Sequence, residues 1–354
     1  MPLLTKRVAV MTTVATLILV MVPRPAVHGQ ERTQRSYRWS TAAPFPEPQE
    51  ELYALTVNGR VYLVGGFGKT GDPQGLMYEY DPKADKWTKK KSMPLPVHHQ
   101  AQTTFENKIY TFGGCTKQLA GEGAIDNSWE YDPAADTWKA LAPLPVKMCA
   151  AEAEQVGGKI YVVGGLTTFE GGRGTRVTGM NQVYDPRTNS WEQRTPMPTA
   201  RNHHFSAAVK GKLYMIGGRL GSGGAGAASP TDVNEEYDPA TNIWTLKAPM
   251  PTPRSGGGDA VYDGRIITAG GELTTRQFSA TFRAVEAYDP ASDSWSILPS
   301  MPQAKHGGGV AIVGNRLYLA SGALTVGRGF GSDWVAATGA HDVLELPPTL
   351  GVSE

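Results

Sequence analysis

The sequence predicts an all-β protein, a six-bladed β-propeller, and three observations support this fold class. A Gly-Gly pair follows a hydrophobic stretch every 48 to 53 residues, at Gly65, Gly113, Gly164, Gly217 and Gly270, with Ser321-Gly322 as a degenerate sixth copy. A tryptophan lies 26 residues before each pair, and a proline follows each tryptophan by seven residues. Short segments such as 108–112 alternate apolar and polar residues, which is typical of half-buried strands.

The aromatic residues keep the same register in every copy. The tryptophans are Trp39, Trp87, Trp138, Trp191, Trp244 and Trp295, and five copies carry Tyr-Asp-Pro, beginning at Tyr80, Tyr131, Tyr184, Tyr237 and Tyr288. With the double glycine, these residues resemble the kelch repeat over residues 37–346. The resemblance implies four antiparallel strands per blade, which in one blade are expected at 99–105, 108–112, 128–131 and 137–141. The large rings are expected to fill the wedge between neighbouring blades.

The two ends of the repeat array indicate how the ring closes. Trp39 and its proline begin the array without the rest of a blade, and the last copy, 306–346, has no closing tryptophan. The simplest interpretation is that the N-terminal strand, around 37–41, joins the last blade as its outer strand. Closure removes exposed sheet edges.

The N-terminus predicts an export signal. Lys6 and Arg7 precede an uncharged run over 8–22, and a small-residue cleavage pattern ends at Gly29. The expected domains are therefore a signal peptide, 1–29, and one propeller, 30–354, in a secreted or periplasmic protein with no stable membrane span after cleavage. An uncleaved N-terminal anchor is the alternative.

Composition and motifs narrow the function classes. The formal net charge is +1, so the sequence does not favour a nucleic-acid partner. The run from Gly66 to Gly71 resembles a phosphate loop, but Asp72-Pro73 starts a turn where a helix would be required. No recognised catalytic motif is present, and no cofactor or metal is expected.

Histidines and basic residues recur where the chain leads into each innermost strand. This lead-in segment carries His98, His99, His203, His204 and His306. Three copies have a basic residue at the matching position at its start: Arg201, Arg254 and Lys305. Kelch domains commonly place ligand-contacting residues here. By position, the resemblance supports Arg201, Arg254 and Lys305, whereas Gln49, Val97 and Met148 depart from it.

The loop after each glycine pair is expected at the same end of the propeller. It contributes Arg219 and Glu272, and the lead-in segment of the first blade contributes Glu50. Longer loops add Arg173, Arg176, Arg276, Arg283, Arg328 and Trp334. Variable loops on a rigid scaffold commonly carry binding residues. The hypothesis is a polar pocket at the mouth of the central channel, and the alternative is a polar rim that binds nothing specific.

The two cysteines allow two interpretations. Repeat geometry places Cys115 and Cys149 on adjacent blades at the same end, so a disulfide is expected in an oxidising compartment. The alternative is a soft copper site that adds Met148, His98 and His99. That alternative weakly resembles the kelch-type radical copper oxidases. Those oxidases have seven blades, whereas this sequence predicts six.

Two functions remain open at this stage. The absence of a catalytic motif favours an exported binding protein with a glycan or protein partner on its loop-bearing face. The alternative is an enzyme, because a six-bladed exported kelch protein is similar in architecture to periplasmic sialic-acid mutarotases, which implies acid–base chemistry on a sugar ring. A copper-dependent oxidase is the less favoured form of the enzyme.

Overall fold

The computed structural model describes residues 37–68, 70–118, 123–168, 174–221, 229–275, 277–326 and 336–348. The predicted signal peptide, 1–29, lies outside these ranges. Within them, no helix is long and apolar enough to cross a membrane.

The secondary structure of the described residues consists of short strands. In chain order they are β1 (Arg38–Thr41), β2 (Glu50–Val57), β3 (Arg60–Phe67), β4 (Pro73–Asp81), β5 (Lys86–Lys89), β6 (Ala101–Phe105), β7 (Lys108–Phe112), β8 (Ser128–Asp132), β9 (Thr137–Ala140), β10 (Met148–Cys149), β11 (Glu152–Val156), β12 (Lys159–Val163), β13 (Leu166–Thr168), β14 (Thr175–Val177), β15 (Asn181–Asp185), β16 (Ser190–Arg194), β17 (Phe205–Val209), β18 (Lys212–Ile216), β19 (Asn234–Asp238), β20 (Ile243–Lys247), β21 (Gly258–Tyr262), β22 (Arg265–Ala269), β23 (Glu272–Thr274), β24 (Ser279–Thr281), β25 (Val285–Asp289), β26 (Ser294–Ile297), β27 (Gly309–Val313), β28 (Arg316–Ala320) and β29 (His341–Glu345).

These strands form six four-stranded antiparallel sheets in the described part of the chain. Blades 1 and 2 are β2–β5 and β6–β9, blade 3 is β11, β12, β15 and β16, and blade 4 is β17–β20. Blade 5 is β21, β22, β25 and β26, and blade 6 is β27–β29 with β1 as its outer strand. The register of β1 on β29 pairs Trp39 with Leu344. The N-terminal strand therefore completes the last blade.

The innermost strands contact one another in cyclic order, from β2 through β6, β11, β17, β21 and β27 back to β2. Their small residues permit this approach: a Cβ on Gly258 would lie 2.7 Å from the Cβ of Val310 in the next blade. The strand predicted at 99–105 begins at Ala101, because His99 has a φ of 55° and its backbone is not extended.

The repeat tryptophan and tyrosine lie between blades, where they hold the backbone N–H and C=O of one residue of the preceding blade. We call this arrangement the clamp. The Trp87 indole donates to the carbonyl of Ala43, and the Ala43 N–H donates to Asp85, whose carboxylate also accepts from Tyr80. The same clamp holds Lys91, Ala142, Thr195 and Ala248 in the later copies. The rings therefore fill the wedge and also hold backbone N–H and C=O groups of a neighbouring blade.

The sixth junction lacks this clamp. Leu344 stands where the other copies have tyrosine, and Pro299, at the clamped position, has no N–H to donate. The Trp39 indole N–H is buried without a hydrogen-bond partner among the described residues. Trp39 nevertheless packs on the apolar cluster that Leu298 and Leu317 share between blades 5 and 6.

Candidate functional site

The lead-in segments and the loops after the glycine pairs lie at one end of the propeller. Isolated β-bridges join His98 to Cys115, Asn202 to Arg219, Ser255 to Glu272, and His306 to Ala323. Each bridge joins a lead-in residue to a residue just after the glycine pair of the same blade. The repeat therefore brings side chains some fifty residues apart to one end of the central channel.

The basic residues of the lead-in segments turn into their own blades. Arg201 and Arg254 are fully buried. Arg201 pairs with Glu235 on β19, and Arg254 lies 2.5 Å from Glu286 on β25. Lys305 is likewise buried and lies 3.0 Å from Asp342 on β29. We call these three contacts the blade ion pairs. Their cations have no exposed surface with which to contact a ligand, so they support the blades and not a pocket.

The matching position in the other blades has uncharged partners. Met148 in blade 3 accepts a hydrogen bond from Gln182 Nε2 at 3.3 Å, and Val97 in blade 2 packs with Trp129. Gln49 lies at this position in blade 1 and donates its backbone N–H to Ser321 Oγ. The position is therefore buried in every blade, whatever its chemistry.

Two residues further along, the chain turns sharply at the axis. Glu51, His99, Ala150, His203, Gly256 and Gly307 occupy this position, all with φ between 51° and 61°. Hydrogen bonds run from residue to residue around the channel: Ala150 N–H to His99 O at 2.8 Å, then through His203, Gly256 and Gly307, ending with Leu52 N–H on Gly307 O at 3.3 Å. These five hydrogen bonds join the turns in series from blade 2 round to blade 1 and fix the direction of the side chains at the channel mouth.

Three of these turns carry large polar side chains, and four neighbours complete a buried group that we call the mouth cluster: Glu50, Glu51, His99, His203, Arg219, Glu272 and His306. Glu51 Oε2 lies 3.3 Å from His99 Nε2, and Glu51 Oε1 lies 3.8 Å from His306 Nδ1. Arg219 lies 2.5 Å from Glu272 and 2.7 Å from His203 Nε2. Glu50 lies 3.5 Å from His306 Nε2.

Electrostatics divides the cluster into charged and neutral members. Burial, with neighbouring carboxylates, raises the pKa of Glu50 to about 8. Burial opposes charge on Glu51 and on His306, but opposite charges outweigh it: His99 holds the pKa of Glu51 well below its usual range, and Glu272 and Glu50 raise the pKa of His306 to about 9. Burial and then Arg219 lower the pKa of His203. Proton positions here therefore depend on neighbours in other blades.

Two predicted histidines lie beside the cluster. His98 is fully buried, its Nε2 donates to the carbonyl of Lys117 at 2.5 Å, and burial lowers its pKa to about 3. Its Nδ1 contacts Nδ1 of His99. His204 is buried away from the cluster, with no hydrogen-bond partner for either ring nitrogen in the described part of the chain.

Cys115 and Cys149 form a disulfide, with Cα atoms 5.6 Å apart. A disulfide offers no thiolate, so the copper ligand set considered from the sequence loses both sulfur anions. Of the longer-loop residues, Arg283 donates to the carbonyl of Met301 at 2.5 Å. Arg176 lies in β14, and Arg173, Arg276, Arg328 and Trp334 lie outside the described residues.

Below the mouth cluster, the innermost strands enclose a cavity of about 260 Å³ along the channel. Glu152, Glu154 and Asp259 line it, together with Ser206 and Gln102. Burial, then mutual repulsion, raises the pKa of Glu152 well above its usual range and that of Glu154 to about 8. Burial raises the pKa of Asp259 to about 7. We call these three residues the channel carboxylates.

The geometry agrees with a search of protein families. The family model described as Attractin/LZTR1 beta-propeller matches residues 61–333. The chain belongs to this family. The family assignment confirms the resemblance predicted from the glycine pairs and the repeat aromatics.

Curated relatives match this chain over part of their length. Kelch-like protein 15 of Danio rerio is 29% identical over 284 residues, which are 75% of this chain and 45% of that protein. Kelch-like protein terF of Aspergillus terreus is 26% identical over 336 residues, or 89% of this chain and 71% of that protein. The chain thus spans about half the length of the first of these relatives.

A solved structure shares the fold of this family member. The structure of YjhT superposes with a TM-score of 0.68 at 19% sequence identity, covering 86% of this chain and 97% of that one. At this identity the likeness establishes the fold alone.

Sequence reasoning missed the channel carboxylates and Glu51. A usable signal was present, because Glu152 and Glu154 are two residues apart on a strand and therefore share a face. The register of β11 and β21 then turns that face of Glu154 and Asp259 toward the channel, where Ser206 contacts both residues.

Proposed function

We propose that this propeller is an exported binding protein that takes a carbohydrate-like ligand in its central channel, next to the mouth cluster. The observation that carries the proposal is the cavity of about 260 Å³ lined by carboxyl, hydroxyl and amide groups. Drug-sized ligands occupy pockets of about 300 Å³ or more, so this volume suits a single small polar molecule such as a monosaccharide.

The cavity wall supplies groups that recognise hydroxyls. Ser206 Oγ donates to Glu154 Oε1 at 2.7 Å, and Ser206 N–H donates to Asp259 Oδ2 at 3.0 Å, so both carboxyl groups are held in place. Gln102 lines the same cavity, and its Nε2 has no hydrogen-bond partner among the described residues. Orienting a ligand by a few fixed polar groups is the usual basis of specificity in such pockets.

The charges favour a neutral sugar over an acidic one. The described residues that line the cavity include no lysine, arginine or histidine, so a carboxylate or sulfate in the channel would be buried without a counter-charge. Arg201 and Arg254, which the sequence suggested as ligand-contacting residues, are held in the blade ion pairs. The loop-bearing face remains the surface on which a protein partner would bind.

Glycan-array screening followed by calorimetry tests this proposal. We expect a neutral mono- or disaccharide to bind with one site per chain, and Glu154→Gln and Gln102→Ala to weaken binding by about tenfold or more, since each removes a hydrogen bond in a desolvated pocket. Lys89→Ala, at an exposed ion pair with Glu47, is the matched control. Binding of a protein but no glycan, or full affinity in both channel variants, would contradict it.

A second candidate is an enzyme that interconverts sugar anomers by acid–base chemistry. Glu154 and Asp259, with pKa values of about 8 and about 7, favour it, because such groups exchange protons near neutral pH. We expect NMR anomeric-exchange rates of the bound sugar to rise with the protein and to fall about a hundredfold in Glu154→Gln. Unchanged exchange rates with every sugar that binds would contradict the enzyme and leave only the binding function.

Export belongs to the same proposal. The charged start, the apolar run over 8–22 and the pattern before Gln30 support cleavage after Gly29. Sequencing the N-terminus of the protein from the periplasm or medium tests it, and a retained N-terminus in the cytoplasm would contradict it.

A further inference from the structure

The mouth cluster brings two imidazole nitrogens and a carboxylate to one point. Suitable atoms of Glu51, His99 and His203 all lie within 4.8 Å of one another, and the three side chains are buried. His99 and His203 face each other with ring centroids 4.6 Å apart. Both residues belong to the series of hydrogen-bonded turns, so this convergence is built into the fold and does not depend on a flexible loop.

Hydrogen-bond partners fix which nitrogen of each ring carries a proton. The carbonyl of Lys117 can only accept, so His98 Nε2 carries the proton and His98 Nδ1 accepts from His99 Nδ1. His99 Nε2 lies 3.3 Å from Glu51 Oε2, and a metal-bound His99, with its one proton on Nδ1, would present Nε2 as the lone-pair nitrogen. A metal ion between these two atoms would take the place of the proton that His99 shares with Glu51.

The same reasoning applies to His203. The side-chain nitrogen of Asn202 donates to the carbonyls of Arg219 and Gly221, so its oxygen is the acceptor for His203 Nδ1 at 2.5 Å. His203 Nε2 is therefore also a lone-pair nitrogen, and it currently accepts from Arg219 at 2.7 Å. A histidine that donates one nitrogen to a fixed oxygen and presents the other is typical of metal ligands.

We propose that Glu51, His99 and His203 form a binding site for a divalent transition-metal ion such as Zn²⁺ or Fe²⁺. Two imidazoles and one carboxylate favour these ions over Mg²⁺ or Ca²⁺, which prefer oxygen ligands. Ligands about 2.1 Å from a tetrahedral zinc lie roughly 3.4 Å apart, close to the 3.3 Å between His99 and Glu51. Tyr53, which donates to Glu51 Oε2 at 3.0 Å, orients the carboxylate.

Arg219 competes with the metal. Its guanidinium occupies the cation position on His203 Nε2 and must move toward Glu272, 2.5 Å away on its other side, when the ion binds. The site thus accepts one of two cations, an arginine or a metal. This predicts that removing the arginine strengthens metal binding, which a merely structural role for the cluster would not produce.

The test uses the mature propeller stripped with a chelator and titrated with Zn²⁺, and with Co²⁺ as a spectroscopic probe. We expect one ion per chain, a visible absorption band from low-coordinate bound Co²⁺, and a higher melting temperature with Zn²⁺. Glu51→Gln, His99→Asn and His203→Asn should each weaken binding at least about tenfold. Asparagine suits the two histidine positions because it tolerates a positive φ.

Matched variants distinguish this site from its surroundings. Arg219→Met should bind Zn²⁺ more tightly than the wild type, and His204→Asn, one residue from His203 but outside the cluster, should bind equally well. Each variant is first checked for an unchanged melting temperature without metal. A variant that has lost its fold is replaced by another substitution at the same position, such as His203→Gln. No binding by the wild type, or losses in His306→Asn but not in His203→Asn, would overturn the proposal, whatever the outcome of the sugar experiments.

Discussion

Blades 3 and 5 place different chemistry at the same buried position. In blade 5, Arg254 lies 2.5 Å from Glu286 and also donates to the carbonyl of Gly270. In blade 3, Met148 and Gln182 occupy the matching positions and form one weak hydrogen bond. Both pairs fill the same space, although Gln182 Oε1 in blade 3 is buried without a hydrogen-bond partner among the described residues. The repeat therefore requires a matched pair here, and the charge itself is dispensable.

The mouth cluster, at and beside the turns two residues further along the chain, differs from this. The blade ion pairs match one cation with one anion, whereas His306 in the mouth cluster lies within 3.8 Å of three carboxylates and Arg219 is shared between Glu272 and His203. Charges that are matched one to one are complete within the fold. Charges that are shared can exchange partners when a ligand or a proton arrives.

The largest expected effect comes from breaking one blade ion pair. Arg254→Met should lower the free energy of unfolding by about 3–5 kcal/mol, because Glu286 is left buried without its counter-charge. The double change Arg254→Met with Glu286→Gln copies the pair of blade 3 and should recover most of the loss. Urea unfolding of both variants and of Glu286→Gln gives the complete double-mutant cycle.

Ligand binding provides the control for that cycle. Since Arg254 and Glu286 face into the blade, the double variant should bind sugar and Zn²⁺ like the wild type. A double variant as unstable as the single one would show that the charge is required, and the comparison between blades 3 and 5 would then fail.

This distinction explains what the sequence could predict. Periodicity located the strands of blade 2 to within two residues and brought His99, His203 and His306 to one end, because register determines neighbours around the axis. It could not show that Arg201 and Arg254 turn inward, since their partners, Glu235 and Glu286, lie on third strands over thirty residues away. The left-handed turn at His99 that directs the next side chains to the axis has no glycine to mark it.

The axial region should also give stability a pH dependence that the blade pairs do not. Glu154 has a pKa of about 8 in the folded protein against an ordinary value of 4.5, and His306 has about 9 against 6.5. Within each window the folded state binds one more proton than the unfolded state, so stability falls as pH rises. The slope should reach about 1.4 kcal/mol per pH unit for each group.

Urea unfolding between pH 5 and pH 9 measures this slope. Glu154→Gln should flatten it between about pH 5 and pH 8, and His306→Asn between about pH 6.5 and pH 9. The Arg254→Met, Glu286→Gln double variant should keep the wild-type slope, because it leaves the axial groups unchanged. Slopes that Glu154→Gln and His306→Asn leave unchanged would show that these two axial groups do not hold their protons.

The smallest expected effect separates the five clamped blade junctions from the sixth. Trp87→Phe removes the hydrogen bond from the indole to the carbonyl of Ala43 and should cost about 1 kcal/mol beyond the loss of ring area. Trp39→Phe removes an indole N–H that has no partner among the described residues, so it should cost less and could even stabilise the protein. Equal losses in the two variants would mean that packing alone holds the tryptophans. A smaller loss for Trp39→Phe would support a sixth junction without the clamp, held by β1–β29 pairing and apolar contact.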